Sequence, residues 1–302
     1  VTLGHVSGEL NTAVYIVEAI AQQTPRLALP AILMAVCMAV AFSIGSSWGT
    51  YAVVFPLAMP LAYVVDPSLN YHMLCFGAVL GGMQALEWAI MYPDRVDRLV
   101  PMATCTAATA QQIAWWSTGR RAIALDPKWR DGHYYDAKPG DGPHAGLALA
   151  RMISQVTFRS DDVFTDRFGR EPVEPLGGTF EMWQRFEVER YLDYHGAKLS
   201  RRFDANSYLL LTKAMDLHDV GRGRGGEAAA LKRISAPTLS VGINSDILYP
   251  SYQQLDLADG IEAVGGSATY AEIDSPHGHD AFLIAIDQVA AALVPFLEKP
   301  VR

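Results

Sequence analysis

The chain has 302 residues, enough for one large domain or two modest ones with a substantial core. Its formal net charge of −8 argues against nucleic acid as the main partner, because phosphate binding needs a basic face. The three cysteines, Cys37, Cys75 and Cys105, lie far apart, form no CxxC pair or disulfide framework, and fit a reducing, cytoplasmic compartment.

Charge is spread unevenly along the chain. Residues 1–82 hold only Glu9, Glu18, Arg26 and Asp66, against 24 Lys and Arg and 32 Asp and Glu in the whole sequence. The 39 residues between Arg26 and Asp66 carry no formal charge. A soluble domain rarely divides its charge this way, since even a buried helix usually keeps a polar face. Leu27 to Gly45 is apolar apart from Ser43 and is about as long as the roughly 20 residues that cross a bilayer. Ser46-Ser47-Trp48-Gly49-Thr50 follows, then a second apolar run from Tyr51 to Val65 with Pro56 and Pro60, and a third run from near Tyr71. Hydroxyl residues and glycine between apolar halves are what a broken membrane helix uses to expose carbonyls. Residues 1–80 are therefore expected to be apolar helices, with membrane contact through 27–65. A buried core helix with a Gly/Ser turn is the alternative. No basic segment precedes the apolar run, so a signal peptide is not expected. A single arginine leaves the orientation unreadable.

The run F-S-I-G-S-S-W-G-T-Y-A-V-V-F-P-L-A-M-P-L-A, Phe42 to Ala62, resembles sodium/proton antiporter-type transporters. Cys75-Phe76-Gly77-Ala78-Val79-Leu80-Gly81-Gly82 suits the same family, which makes Val79 an ordinary helix residue. The resemblance spans about residues 8–82. That is too few spans to build two repeats around a site, so ion transport is not expected.

The same residues read differently from the other side. Gly77-Ala78-Val79-Leu80-Gly81 has the spacing of a nucleophile elbow, G-x-S-x-G, with valine in the serine's place. From there the chain reads as a soluble α/β protein. Met83 to Tyr92 has helical apolar spacing, and Arg98 to Ala103 reads as a short strand. Thr104 to about Arg233 is rich in helix formers, with loops at Asp126-Pro127, Lys138-Pro139-Gly140 and Gly221 to Gly226. Thr238 to Gly242 and Thr269 to Ile273 read as strands, and Asp280 to Leu297 as a closing helix. This order predicts a parallel sheet interrupted by a helical lid at about 106–233.

Two loops follow the late strands. Asn244-Ser245-Asp246 follows the first, and Asp274-Ser275-Pro276-His277-Gly278-His279-Asp280 the second. Functional groups gather at such strand ends, and an acid followed by a histidine completes the chain order Ser, Asp, His of α/β-hydrolases. Histidine takes a nucleophile's proton near neutral pH, and the carboxylate fixes its tautomer. Asp246 alone also fits a cap for the helix beginning near Pro250. His277 and His279, two apart with no third His or Cys nearby, do not make a metal set.

Five stretches resemble homoserine O-acetyltransferase. They are G-G-M-Q-A-L-E-W-A-I-x-Y-P-D-R-V (Gly81–Val96), D-P-x-W-x-x-G-x-Y (Asp126–Tyr134), G-L-A-L-A-R-M (Gly146–Met152), R-F-D-A-N-S-Y-L-x-L-T-x-A-M-D (Arg202–Asp216) and S-P-x-G-H-D-A-F-L (Ser275–Leu283). The resemblance covers essentially all of 81–302. It implies an α/β-hydrolase fold with a helical lid and ping-pong acetyl transfer from acetyl-CoA to homoserine in methionine synthesis, with no bound cofactor. It implies Asp246 as triad acid, His279 as triad base, Asp280 for the substrate amino group and Arg151 for its carboxylate, a task suited to a guanidinium. Phe158 stands where the family often has tyrosine. The Leu80 N–H is similar to one oxyanion donor, and the second is expected from a loop after an early strand, which residues 1–70 do not contain. Lid helices of the family often form homodimers.

The fold expected is an incomplete α/β-hydrolase core with a helical lid, preceded by apolar membrane-like helices. Three accounts of Val79 follow: a chain joined at about 77–83, a whole hydrolase that lost its serine, or an enzyme using another nucleophile such as Cys75. The first explains the charge asymmetry, the valine and the absent early strands together, and it predicts no acetyltransferase activity.

Overall fold

The computed structural model describes residues 73–138, 140–174 and 182–300. The apolar helices expected within residues 1–72, and the membrane contact through 27–65, lie outside the described residues. Residues 72–302 make one compact unit.

The unit is organised on four parallel strands, β1 (Met73–Ala78), β2 (Val96–Met102), β3 (Thr238–Ile243) and β4 (Ala268–Ile273), in the order β1-β2-β3-β4. Parallel neighbours need crossovers, and helices supply them. Helix α1 (Leu80–Met91) links β1 to β2, and α8 (Tyr252–Ala263) links β3 to β4. Both helices pack on one face, where Leu86, Ala89 and Ile90 meet Leu99, Leu257 and Ile261. The chain closes with two helices, α9 (Ala281–Ile284) and α10 (Ile286–Glu298). They cover the other face through Ala281 and Phe296 against Val100, Met102, Val241 and Ile243. Covering both faces explains why all six β3 residues are buried and why the strand reads Thr-Leu-Ser-Val-Gly-Ile with no charge.

The crossover from β2 to β3 is the helical insertion. It contains α2 (Ala110–Ala124), α3 (His144–Thr157), α4 (Asp161–Phe168), α5 (Glu187–Ser200), α6 (Ala205–Asp216) and α7 (Glu227–Leu231). Its own small core joins Ile123, Leu147, Ala150, Ala205 and Tyr208. Local chemistry sets its boundaries. Thr109 and Gln112 form a capping box at the start of α2, Ser160 accepts the Val163 N–H at α4, and Asp204 accepts the Ser207 N–H at α6.

Two expectations are corrected. Residues 73–78 are not a continuation of helix but strand β1, and Val79 is the turn residue that follows it. The backbone reason is that β1 pairs along its length with β2, and Val79 donates its own N–H to the Met102 carbonyl at 3.1 Å. The single helix expected over 280–297 is two, bent by 69° at Ala285. Among the described residues no single helix is long and apolar enough to cross a membrane.

Candidate active site

Val79 occupies a sharp strand-to-helix turn with φ 56° and ψ −120°. A β-branched residue in this region is strained, by about 1–3 kcal/mol. The surroundings over-determine the turn. The Val79 carbonyl accepts from the Met83 N–H at 3.1 Å and from Thr104 Oγ1 at 2.8 Å, while its N–H is held by β2. A Cβ on Gly77 would lie 2.2 Å from the Gly81 carbonyl carbon, so only glycine lets β1 and α1 meet this closely. This is the geometry that, with serine, raises a nucleophile above the sheet. Leu80 opens α1, so its N–H has no intrahelical acceptor.

Asp246 and His279 meet across the ends of β3 and β4. His279 Nδ1 lies 2.6 Å from Asp246 Oδ2, and both residues are buried. An ionised carboxylate only accepts, so in this contact Nδ1 is the donor and Nε2 is the ring nitrogen left outside it. Asp246 Oδ1 accepts the Leu248 and Tyr249 N–H groups at 2.8 Å each. Asp246 is therefore the histidine partner through one oxygen and holds its own loop through the other; it does not cap the helix expected near Pro250, which begins at Tyr252 with Ser251 at its N-cap and no side-chain cap. The His279 ring packs 5.4 Å from Tyr249 and 5.7 Å from Phe158, centroid to centroid. Tyr249 and Phe158 belong to the same apolar cluster as Val79, Leu80, Met83 and Trp116. The elbow and the His–Asp pair thus share neighbours.

Arg151 lies on α3. It donates to Gln155 Oε1 at 2.7 Å, and its guanidinium sits 4.8 Å over the Phe158 ring. Burial pulls its pKa below the ordinary arginine value, and the Asp280 carboxylate opposes that shift. Asp280 itself is paired with Arg159 at 3.3 Å. Phe158 offers a flat apolar face to both Arg151 and His279 in place of a hydroxyl.

Several contributors were not legible in the sequence. Thr104 ties the elbow carbonyl, and Arg159 faces Asp280. The end of α3 is clamped to the histidine loop: Ser160 Oγ donates to the Pro276 carbonyl, and the Asp280 N–H donates to the Phe158 carbonyl at 3.3 Å. Gly278, at φ 68°, fits beneath this clamp, where a Cβ would lie 2.7 Å from the Ser160 nitrogen. Only Gly278, next to a histidine, carried a local signal. Cys75 does not supply a replacement nucleophile. It faces the α1 and α8 side of the sheet, and burial pushes its thiol up to about 11. Cys105 is buried, and its thiol is pushed up to about 12 by burial and Glu227. Among the described residues no group of three or more His, Cys, Asp or Glu could hold a metal.

The Na+/H+ antiporter family model matches residues 1–83, a stretch that runs through β1 into α1. Homoserine O-acetyltransferase from Moorella thermoacetica is 49% identical over 223 residues, 74% of this chain and 59% of that protein. The Thermobifida fusca homoserine O-acetyltransferase is 50% identical over 226 residues, 74% of this chain and 57% of that one. The crystal structure of homoserine O-acetyltransferase from Bacillus anthracis superposes with a TM-score of 0.71 at 25% identity, covering 77% of this chain and 61% of that chain. Esterase E22, at 24% identity and TM-score 0.67, shares the fold over 76% of this chain. The chain spans less than two thirds of the length of the curated relatives it matches. In sequence and α/β-hydrolase-like fold, about three quarters of the chain is similar to homoserine O-acetyltransferases, and residues 1–83 are similar in sequence to the Na+/H+ antiporter family.

Proposed function

We propose that the α/β unit is the later part of a homoserine O-acetyltransferase that keeps its acid–base pair and has no nucleophile. The carrying observation is Val79 at the strained elbow position, beside an intact His279–Asp246 pair. In the reading, Asp246 orients His279, and His279 Nε2 serves as the base that would take a serine proton. Arg151 grips the acceptor carboxylate, Asp280 faces its ammonium group, and the Leu80 N–H is one oxyanion donor. Acetyl-CoA and homoserine are the substrates of the reaction the unit is built for.

Ping-pong transfer needs an acyl-enzyme, and an isopropyl side chain cannot form one. Loss of a triad nucleophile lowers turnover by on the order of 10⁶. The chain is therefore inactive in acetyl transfer. The antiporter-like match over 1–83 supports a joined chain, whose apolar segment tethers the unit to a membrane. The second reading, a diverged hydrolase that lost its serine, draws on the formed elbow at Val79. Release of CoA from acetyl-CoA in the presence of homoserine is the test. Background-level release is expected, and turnover at rates typical of enzymes, about 1–10³ s⁻¹, would overturn the proposal.

A further inference from the structure

Gln155 is polar yet only 1% exposed, and it lies one turn after Arg151 on α3. A buried amide needs partners for both its ends. Arg151 can only donate, so the Gln155 oxygen turns to it and accepts from Nη2 at 2.7 Å. Gln155 Nε2 is then aimed the other way, and it donates to the Tyr191 hydroxyl of α5 at 2.7 Å. Tyr191 is itself a fixed anchor. Its ring centroid lies 5.0 Å from that of Phe168 and 4.5 Å from that of His195, and the Arg167 guanidinium sits 4.8 Å over it. Gly196 lets α5 come this close to α3, since a Cβ there would lie 2.9 Å from the Ala148 carbonyl oxygen.

Arg151 is thereby oriented by a neutral group. A glutamate at position 155 would pair with the guanidinium and spend its charge, whereas an amide aims it and leaves the charge for a ligand. Asp280, the acid that opposes the desolvation of Arg151, is paired with Arg159 at 3.3 Å. We propose that Gln155 and Tyr191 are positioning residues, a Tyr–Gln relay that aims Arg151 at the acceptor's carboxylate and selects acceptors that carry one. The acceptor's identity rests on the acyltransferase reading above; the relay rests on its own geometry.

The test titrates the full chain, by NMR, with three probes: homoserine, homoserinol, in which the carboxylate is reduced to an alcohol, and butyrate as a bare carboxylate. Two variants are run beside it. Tyr191→Phe keeps the ring and its packing and removes the hydroxyl that accepts from Gln155. Gln155→Glu keeps the shape and sets a charge against Arg151. Each variant should bind homoserine and butyrate about tenfold or more weakly, the scale of one hydrogen bond to a charged group, and bind homoserinol as the parent does. Equal losses for all three probes would mark a purely structural tie between helices and overturn the proposal. Unchanged carboxylate affinity in either variant overturns it too, as does a parent chain that binds no carboxylate. The acyltransferase reading is judged on the parent alone. If homoserine binds no better than butyrate, that reading fails, while a selective loss of butyrate in the variants still carries the relay.

Discussion

Substituting Val79→Ser separates what the elbow supplies from what the chain lacks. The turn is held by the Val79 N–H to Met102, by Thr104 and Met83 on its carbonyl, and by the close approach at Gly77. None of these contacts uses the valine side chain, so serine inherits the same φ and ψ. It also removes a β-branched carbon from a position that disfavours it. A triad nucleophile is worth on the order of 10⁶ in rate, or about 8 kcal/mol. On the proposed reading the second oxyanion donor is missing, and such a donor is worth roughly 10²–10³. The substituted chain should therefore cleave p-nitrophenyl acetate some 10³–10⁴-fold faster than the parent and stay about 10²–10³-fold below a complete enzyme. A fluorophosphonate should label it once per chain. Rates equal to the parent, with no label, would refute a preformed elbow. Rates matching a complete enzyme would refute the missing donor and favour a hydrolase that lost only its serine.

Other consequences follow from single contacts. Asp246→Ala leaves the Leu248, Tyr249 and His279 donors unpaired in the interior, and at about 1–3 kcal/mol for each unsatisfied group thermal or urea unfolding should report a loss of at least about 3 kcal/mol. Gly77→Ala should give insoluble protein, because its Cβ meets backbone at 2.2 Å, whereas Gly81→Ala meets nothing within 4 Å and should stabilise by about 0.5–1 kcal/mol. Burial first, and then Arg151, Lys198, Arg159 and Arg167, pull the His195 pKa from 6.5 to about 4. The unfolded chain therefore binds that proton between those values while the folded chain does not. This contribution falls as pH drops from about 6.5 to about 4 and levels off below. His195→Phe should flatten that part of a melting-temperature profile, and an unchanged slope would count against it.

The sheet was partly legible because β3 is a short uncharged run, β2 ends in an apolar one and β4 carries Thr269, Tyr270 and Ile273, with helical stretches between them. β1 was not. Its six residues share the apolar, Gly- and Ala-rich composition of the block before them, and a short apolar run has no period that separates strand from buried helix. Only pairing with β2, across some twenty residues, decides the matter. The His279–Asp246 pair was legible because each residue sits in a loop at a strand end with its order in the chain intact. Arg159 and Thr104 were not, since their roles come from contacts with Asp280 and Val79 that lie 121 and 25 residues away. The break at Ala285 was also hidden, because the apolar pattern continues across it while the backbone does not.

The central claim is that the elbow is present and the acyl-enzyme is not. Intact-mass measurement after incubation with acetyl-CoA tests it most directly, with Val79→Ser run alongside. The account predicts an unmodified parent chain and a single acetyl adduct on the serine variant. A stable acetyl adduct on the parent chain would contradict it.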